Sequence, residues 1–213
     1  MFSAGKAIKY GLAKLLPGTV LIKGKPQAAR VALTFDDGPH PQHTESILDI
    51  LDRGGAKATF FLQGKEAEKY PALVRKIFSR GHQLGNHGYG HLDAKRVAKR
   101  EYIAEVERAQ QALQNIVGAQ IDKIFRPPYG NITGAAFLPL ALAGYLFVFW
   151  SVDSRDSFIR TAPELVAHVE TIKISAGDIV LLHEDYAHTV AALPTILQSL
   201  SARSLGFSKI DGM

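Results

Sequence analysis

The sequence predicts an α/β fold built on a parallel β-sheet with crossover helices. Short apolar runs alternate with longer helix-patterned segments about six times after residue 30, which is typical of such sheets. Charged or titratable residues follow five of the predicted strands, at the edge where active sites of these folds collect. With 213 residues, 46% of them hydrophobic, the chain can build one domain with a sizeable core. An open doubly wound sheet and a closed, barrel-like sheet with fewer or irregular strands both fit this pattern.

Each predicted element follows from its local pattern. Short apolar runs bounded by turn residues predict strands at Val31–Phe35, Ala58–Leu62, Gln83–Asn86, Lys123–Phe125, Tyr145–Val152, Ile179–Leu182 and Phe207–Ile210. Longer segments between them predict helices at Thr44–Arg53, Glu66–Arg80, Lys95–Val117, Ala135–Ala143, Ala162–Ile174 and Thr189–Ala202. Glycines such as Gly81 and Gly118 stand where these helices should end, because glycine readily adopts the left-handed conformation of a helix C-terminus.

Positive charge is concentrated at the start of the chain. The net charge is +5, but residues 1–30 hold six basic residues and no acidic one, which leaves 19 basic and 20 acidic residues in the remainder. A nucleic-acid-binding domain carries its positive charge on a face of the folded body. The near-neutral body therefore argues against nucleic acid as a partner.

Residues 1–17 have the pattern of an amphipathic helix. Its apolar face consists of Ile8, Leu12, Leu15 and Leu16, and its lysines at 6, 9 and 14 lie off that face. The segment either rests on an anionic membrane surface or packs its leucines on the body. The lysines interrupt any apolar run long enough for a signal peptide or a membrane span. We therefore expect a cytoplasmic protein, either free or peripheral to the inner membrane face.

Two motifs could contribute to a metal site. Asp36 and Asp37 end the first predicted strand, and the Gly-Pro turn after them can let both carboxylates face the strand end. One could then bind a metal while the other stays free as a base. His87 and His91 are four residues apart, a spacing that puts both imidazoles on one side of a helical turn. Two histidines and one aspartate make the three protein ligands of a catalytic zinc site, although each motif alone also fits a surface turn or loop.

Three further strand ends carry ionisable groups. Arg126 precedes two prolines that stiffen the backbone, so its guanidinium can orient a carboxylate, or form a surface salt bridge. Asp153 and His183 each end an apolar strand. A histidine in an apolar wall beside a carboxylate stays protonated near neutral pH, although a buried structural histidine fits as well. Together these groups are the parts of a metal-assisted hydrolase, and the absence of cysteine excludes a thiolate nucleophile or ligand.

With these motifs in order, the chain resembles the polysaccharide deacetylase family, which includes chitin, chito-oligosaccharide and peptidoglycan N-acetylglucosamine deacetylases. The matching segments are Thr34–Pro39, His87–His91, Arg126–Gly130, Asp153–Asp156 and Leu181–His183. The resemblance covers residues 30–210. It implies a distorted (β/α) barrel with fewer than eight parallel strands. It also divides the chain into a basic amphipathic segment, 1–29, and a catalytic domain, 30–213.

The resemblance implies a metal centre and a base. Asp37, His87 and His91 would hold a divalent metal, most simply zinc, with cobalt, nickel or manganese as alternatives. Asp36 would be the general base, and Arg126 would steady it.

The resemblance also implies an acid and a substrate surface. His183 would be the general acid, and Asp153 would tune it. The main-chain N–H of Tyr129 would help to hold the oxyanion, and Leu181 and Trp150 would contact the substrate.

The implied reaction removes acetyl groups from N-acetylated sugars of a polysaccharide or oligosaccharide and releases acetate, so the expected partner is an acetylated glycan. Two alternatives remain open: an O-acetyl polysaccharide esterase on the same scaffold, and a non-catalytic glycan-binding protein. Two positions depart from the family pattern. Gly88 stands where serine or threonine is common, and Ser157 where tryptophan is common. These departures predict weaker metal binding and a more open substrate groove.

Overall fold

The computed structural model describes residues 18–26 and 29–210, together with Gly11. The predicted amphipathic face of residues 8–16 lies outside this part of the chain, so its contact with a membrane or with the body stays a prediction. Within the described residues, none of the helices has both the length and the apolar character needed to cross a bilayer.

Helices and strands alternate along the chain as the sequence predicts. The strands are β1 Val20–Leu21, β2 Arg30–Asp36, β3 Thr59–Leu62, β4 Gln83–Asn86, β5 Ile124–Phe125, β6 Leu146–Val148, β7 Val152–Asp153, β8 Ile179–His183 and β9 Gly206–Ser208. The α-helices are α1 Thr44–Arg53, α2 Gly64–Lys69, α3 Pro71–Ser79, α4 Lys99–Val117, α5 Gly134–Leu142, α6 Ala162–Thr171 and α7 Ala187–Ala202. A short 3₁₀ turn, Pro128–Gly130, follows β5.

All strand pairs are parallel, in the order β1-β6-β5-β4-β3-β2-β8-β7, and β9 pairs with the start of β2. β6 and β7 are six places apart in this order, which in a flat sheet would separate them by about 29 Å. The chain between Val148 and Val152 can span no more than about 14 Å. The sheet therefore curls until its two ends approach each other, and the expected distorted (β/α) barrel is confirmed.

The described residues form nine strands, whereas the local sequence patterns predict seven. The predicted strand Tyr145–Val152 divides into β6 and the two-residue β7, and β1 adds a further two-residue strand that pairs with β6. β1 lies in the segment 1–29 that the sequence set apart, so Val20 and Leu21 belong to the sheet of the main body. Strands this short have little periodicity for a sequence pattern to show.

One predicted helix is two helices in the structure. Glu66–Arg80 divides at Tyr70, whose φ of −126° and ψ of 56° lie outside the helical region, and α3 begins at the next residue, Pro71. Proline lacks the N–H that would continue α2 and disfavours a helical conformation in the residue before it. The break matters because α2 is left free to pack beside the loop that follows β4.

Successive side chains of β2 point alternately to the outer and the inner side of the curled sheet. Val31, Leu33 and Phe35 are fully buried in the cluster that includes the apolar faces of α1, α3 and α7. Ala32 belongs to a second cluster, with residues of β3, β5, β6 and β8, that fills the inside of the curl. Asp36 lies on the same face as Ala32, so the last residue of β2 delivers a carboxylate to the barrel interior at the carboxyl edge.

Candidate active site

Both carboxylates of the Asp-Asp pair face one side. Asp36 is the last residue of β2 and is only 3% exposed. Asp37 has a φ of +73°, which takes the chain out of the strand, so its side chain no longer alternates to the opposite face. His87 Nε2 lies 3.8 Å from Asp36 Oδ2 and 3.6 Å from Asp37 Oδ1. The turn therefore brings the two adjacent acids to the same histidine.

Three side chains form a cluster that can hold a metal ion. One ligand atom from each of Asp37, His87 and His91 lies within 4.8 Å of the other two. His91 Nε2 is 3.3 Å from Asp37 Oδ1, and His87 Nε2 is 3.6 Å from the same oxygen. A tetrahedral zinc ion with bonds of about 2.0–2.2 Å keeps its ligand atoms about 3.3–3.5 Å apart. The donor set and its spacing therefore fit a divalent metal such as zinc.

Neighbouring groups orient the ligands of this cluster. His87 Nδ1 lies 2.7 Å from the carbonyl oxygen of Arg126. A carbonyl only accepts hydrogen bonds, so Nδ1 carries the proton and Nε2 keeps the lone pair that a metal needs. Gln63 Nε2 donates to Asp37 Oδ1 at 2.9 Å. Burial raises the pKa of Asp37, but the nearby His87 and His91 outweigh it and the net pKa is lowered, which keeps this ligand ionised.

Arg126 is fully buried inside the barrel and orients Asp36. Its Nη1 donates to Asp36 Oδ1 at 2.7 Å and to Thr34 Oγ1 at 2.8 Å. The remaining donors reach the carbonyl oxygens of Val148 at 3.3 Å and Phe149 at 3.2 Å, so the guanidinium spans from β2 to the link between β6 and β7. Burial lowers the pKa of Arg126, and Asp36 opposes that change. The predicted partnership of Arg126 and Asp36 is present, and it leaves Asp36 Oδ2 facing His87.

Asp156 contacts His183, and the prediction that Asp153 tunes this histidine is wrong. Asp156 is fully buried, and its Oδ1 accepts from His183 Nδ1 at 2.7 Å. Its Oδ2 accepts from the backbone N–H of His183 at 2.7 Å and from the Thr189 hydroxyl at 3.0 Å. Asp153 is exposed. Within the described residues, its carboxylate accepts one hydrogen bond, from the backbone N–H of Arg155.

The path of the chain after β7 brings Asp156, and not Asp153, to His183. Asp153 pairs with Leu181 on the edge strand β7, where its side chain is exposed to solvent. Arg155 then adopts a φ of +60°, which turns the chain back and places Asp156 beneath His183. Burial alone would lower the pKa of His183, but the hydrogen bond and charge of Asp156 raise it to about 9. His183 is therefore a cation at neutral pH.

Glu184 is a further residue that the sequence did not single out for a role. Its carboxyl is fully buried beneath the Asp-Asp turn, where it accepts from the Thr44 hydroxyl, and burial raises its pKa to about 8. A β-carbon at Gly38 would overlap Glu184 Oε1, so a larger residue there would force the Glu184 carboxyl to move. The backbone N–H of Glu184 also donates to the Asp36 carbonyl at 3.0 Å. Glu184 thus joins the end of β8 to the turn that carries both aspartates.

The predicted substrate residues lie around this cluster. Tyr129 has a φ of +57° and is 65% exposed, with its ring 4.6 Å from that of His91. Leu181 is buried two residues before His183 on β8, so the two side chains share one face of the strand. The guanidinium of Arg126 lies 5.8 Å from the ring of Trp150.

Comparison with known proteins finds relatives that cover most of this chain. A sequence model of the family described as "Polysaccharide deacetylase" matches residues 23–148. A peptidoglycan-N-acetylglucosamine deacetylase of Bacillus cereus is 37% identical over 186 residues, which cover 85% of this chain and 86% of the relative. A chitooligosaccharide deacetylase of Azorhizobium caulinodans is 33% identical over 207 residues, which cover 86% and 97%. The crystal structure of the Bc1960 peptidoglycan N-acetylglucosamine deacetylase superposes with a TM-score of 0.89 at 31% identity and covers 96% of both chains.

Proposed function

The chain belongs to the polysaccharide deacetylase family, and from this premise we propose that it is a metal-dependent hydrolase of N-acetylated glycans. The reaction removes acetyl groups from N-acetylglucosamine units of a polysaccharide or oligosaccharide and releases acetate. One observation supports this most strongly. The Asp36–Arg126 pair, the Asp-His-His cluster and the Asp156-held His183 meet at one edge of the barrel. That set would supply a base, a metal site and an acid, the three parts that metal-assisted amide hydrolysis uses.

Asp37, His87 and His91 would hold the metal, most simply zinc. When bound there, a divalent metal supplies Lewis acidity, which polarises a carbonyl and favours deprotonation of water.

Asp36 is the proposed general base. Arg126 fixes its Oδ1 at 2.7 Å, and its Oδ2 faces the metal ligands. A carboxylate held in this way can accept the proton of a water molecule that attacks the acetamide carbonyl.

His183 is the proposed general acid. With a pKa of about 9, its ring is protonated at neutral pH and can give a proton to the departing sugar amine. Nδ1 is engaged by Asp156, so the transferable proton is the one on Nε2. Asp156 stabilises the protonated ring before the proton is transferred, and it keeps the ring oriented after the transfer.

The remaining predicted residues would receive the substrate. The backbone N–H of Tyr129 would donate to the oxyanion that develops when water attacks. Leu181, buried on the face of β8 that carries His183, would contact the acetyl methyl group. Trp150 would line the site beside Arg126. The glycan is the expected partner.

Acetate release tests this function. Wild-type protein with added zinc or cobalt should release acetate from N-acetylglucosamine oligomers. Asp36→Asn should bind the metal with unchanged affinity and lose activity by about 100-fold or more, because a general base commonly contributes that much.

Each outcome has a defined meaning. Near wild-type activity of metal-loaded Asp36→Asn would exclude Asp36 as the base. If metal-loaded wild type releases no acetate from these oligomers but does so from O-acetylated xylan, the protein is an O-acetyl esterase. Sugar binding without metal binding would identify a non-catalytic glycan-binding protein.

A further inference from the structure

The loop that carries both metal-binding histidines, residues 87–91, lacks the side-chain hydroxyl that its resemblance to the family leads one to expect at position 88. Gly88 has a φ of +78°, a conformation that a β-branched residue such as threonine would adopt only under strain. The loop therefore needs another means of holding His87 and His91 at a fixed separation.

Two helices supply hydrogen bonds to this loop, hereafter the metal loop. At the start of α2, Gly64 N–H donates to the Gly88 carbonyl at 2.9 Å and Lys65 N–H to the Tyr89 carbonyl at 3.0 Å. From α4, the carboxylate of Glu105 accepts from Gly90 N–H at 2.7 Å. The carbonyls of Gly88 and Tyr89 and the amide of Gly90 are thus paired with groups on α2 and α4.

The first residue of the loop is also tied to α4 through Asn86. Asn86 Oδ1 accepts from Gly88 N–H at 2.8 Å, and its Nδ2 donates to the Val106 carbonyl at 2.8 Å. Asn86 is fully buried at the end of β4 and directly precedes His87. Both ends of the metal loop are therefore held by hydrogen bonds to two consecutive residues of α4, Glu105 and Val106.

The ring of Tyr89, between the two histidines, is held from outside. The guanidinium of Arg108 lies 3.4 Å from the centre of that ring, and the Tyr89 hydroxyl donates to Glu68 on α2 at 2.7 Å. A β-carbon at Gly64 would come within 2.7 Å of the Tyr89 ring, so α2 packs directly on this side chain. Through Tyr89, the metal loop therefore contacts both α2 and α4.

We propose that Glu105 is a positioning residue of the metal site, because its hydrogen bond with Gly90 N–H fixes the backbone next to His91. The inference rests on the proposed function, since it assigns Glu105 an effect on the affinity of Asp37, His87 and His91 for a divalent cation. Glu105 does not contact the metal ligands' side chains. It acts through the loop backbone, as groups behind metal ligands commonly do.

Zinc affinity of the metal-free, full-length protein tests this inference directly and needs no turnover. Competition against a chromophoric chelator should show that Glu105→Ala weakens zinc binding about tenfold, the usual scale for groups behind a ligand. Glu105→Gln should stay within about threefold of wild type, because its amide oxygen can still accept from Gly90. Glu105→Asp keeps the charge but withdraws the acceptor, so it should also weaken binding, and it replaces Glu105→Ala if that variant does not fold.

Glu107→Ala is the matched control, because Glu107 is an exposed residue of the same helix and its removal changes the net charge equally. It should leave zinc affinity within about twofold of wild type, since exposed charges act weakly on a distant site. Wild-type affinity in Glu105→Ala or Glu105→Asp would overturn the inference, as would an equal loss in Glu107→Ala. Failure of wild type to bind zinc would instead overturn the proposed metal site, and the role of Glu105 with it.

Discussion

The site has two halves, a proposed metal half of Asp37, His87 and His91 and a proposed acid half of Asp156 and His183. They hold their histidines by different means. His87 contacts a neutral backbone carbonyl through Nδ1, whereas His183 contacts the buried carboxylate of Asp156 through the same atom. Burial lowers the pKa of His91, while Asp156 raises the pKa of His183 to about 9 despite burial. The partner of Nδ1 differs between the two proposed roles. The carbonyl leaves Nε2 of His87 available to a metal, and the carboxylate of Asp156 favours the protonated ring of His183, which can act as an acid.

The largest expected effect comes from making the acid half resemble the metal half. Asp156→Asn removes the charge beside His183 and so lowers its pKa, and activity should fall by about 100-fold at pH 8, the scale of a lost general acid. The alkaline limb of the kcat/KM profile should move to lower pH, because the ring deprotonates earlier. The pH profile of acetate release measures both effects.

Asp153→Asn serves as the matched control for this variant, because Asp153 belongs to the same motif but is exposed. It should keep wild-type activity and the wild-type alkaline limb. Zinc affinity should be unchanged in both variants. An unmoved alkaline limb in Asp156→Asn would separate Asp156 from the protonation of His183.

An intermediate effect is expected where the two halves join, at Gly38 and Glu184. A methyl group at Gly38 would overlap the Glu184 carboxyl, so Gly38→Ala should lower the free energy of unfolding by about 1–3 kcal/mol, as overpacking commonly does. Gly134→Ala is the control, because a β-carbon there meets no atom within 4 Å. Denaturant unfolding measures both variants, and equal stability of the two would refute the proposed fit of Glu184 beneath Gly38.

The smallest effect is a pH dependence of stability at the same junction. The folded-state pKa of Glu184 is raised to about 8 from 4.5, so the folded protein binds the extra proton and loses stability as pH rises towards 8. His183, raised to about 9 from 6.5, has the same sign above pH 6.5. The free energy of unfolding of metal-free protein should therefore decline from pH 6.5 to pH 9.

Glu184→Gln should make the total decline between pH 6.5 and pH 9 smaller by about 2 kcal/mol, because a buried neutral amide does not titrate. Glu170→Gln, an exposed glutamate on α6, is the control and should leave the slope unchanged. Denaturant unfolding at a series of pH values gives the slopes. Identical slopes in wild type and Glu184→Gln would contradict burial as the cause of the raised pKa.

Much of the fold could be predicted from local patterns. Helix Thr44–Arg53 and strand Gln83–Asn86 have the predicted bounds, because their apolar periodicity is complete within one segment. The break at Pro71 was also encoded locally, but the helical pattern on both sides of it conceals the interruption. The two-residue strand Val20–Leu21 could not be predicted, because it is too short to show a sequence pattern and forms by pairing with the distant β6.

The candidate site shows the same division. The sequence alone determined that two aspartates, two histidines, an arginine and a third histidine follow strand ends, since residue type and spacing are local properties. It could not decide between Asp153 and Asp156, because that choice depends on a left-handed turn at Arg155 and on the pairing of β7 with β8. Only the tertiary structure decided which carboxylate is buried against His183 and which polar groups brace the metal loop. Burial and pairing between distant segments set those contacts, and neither is present in a single stretch of sequence.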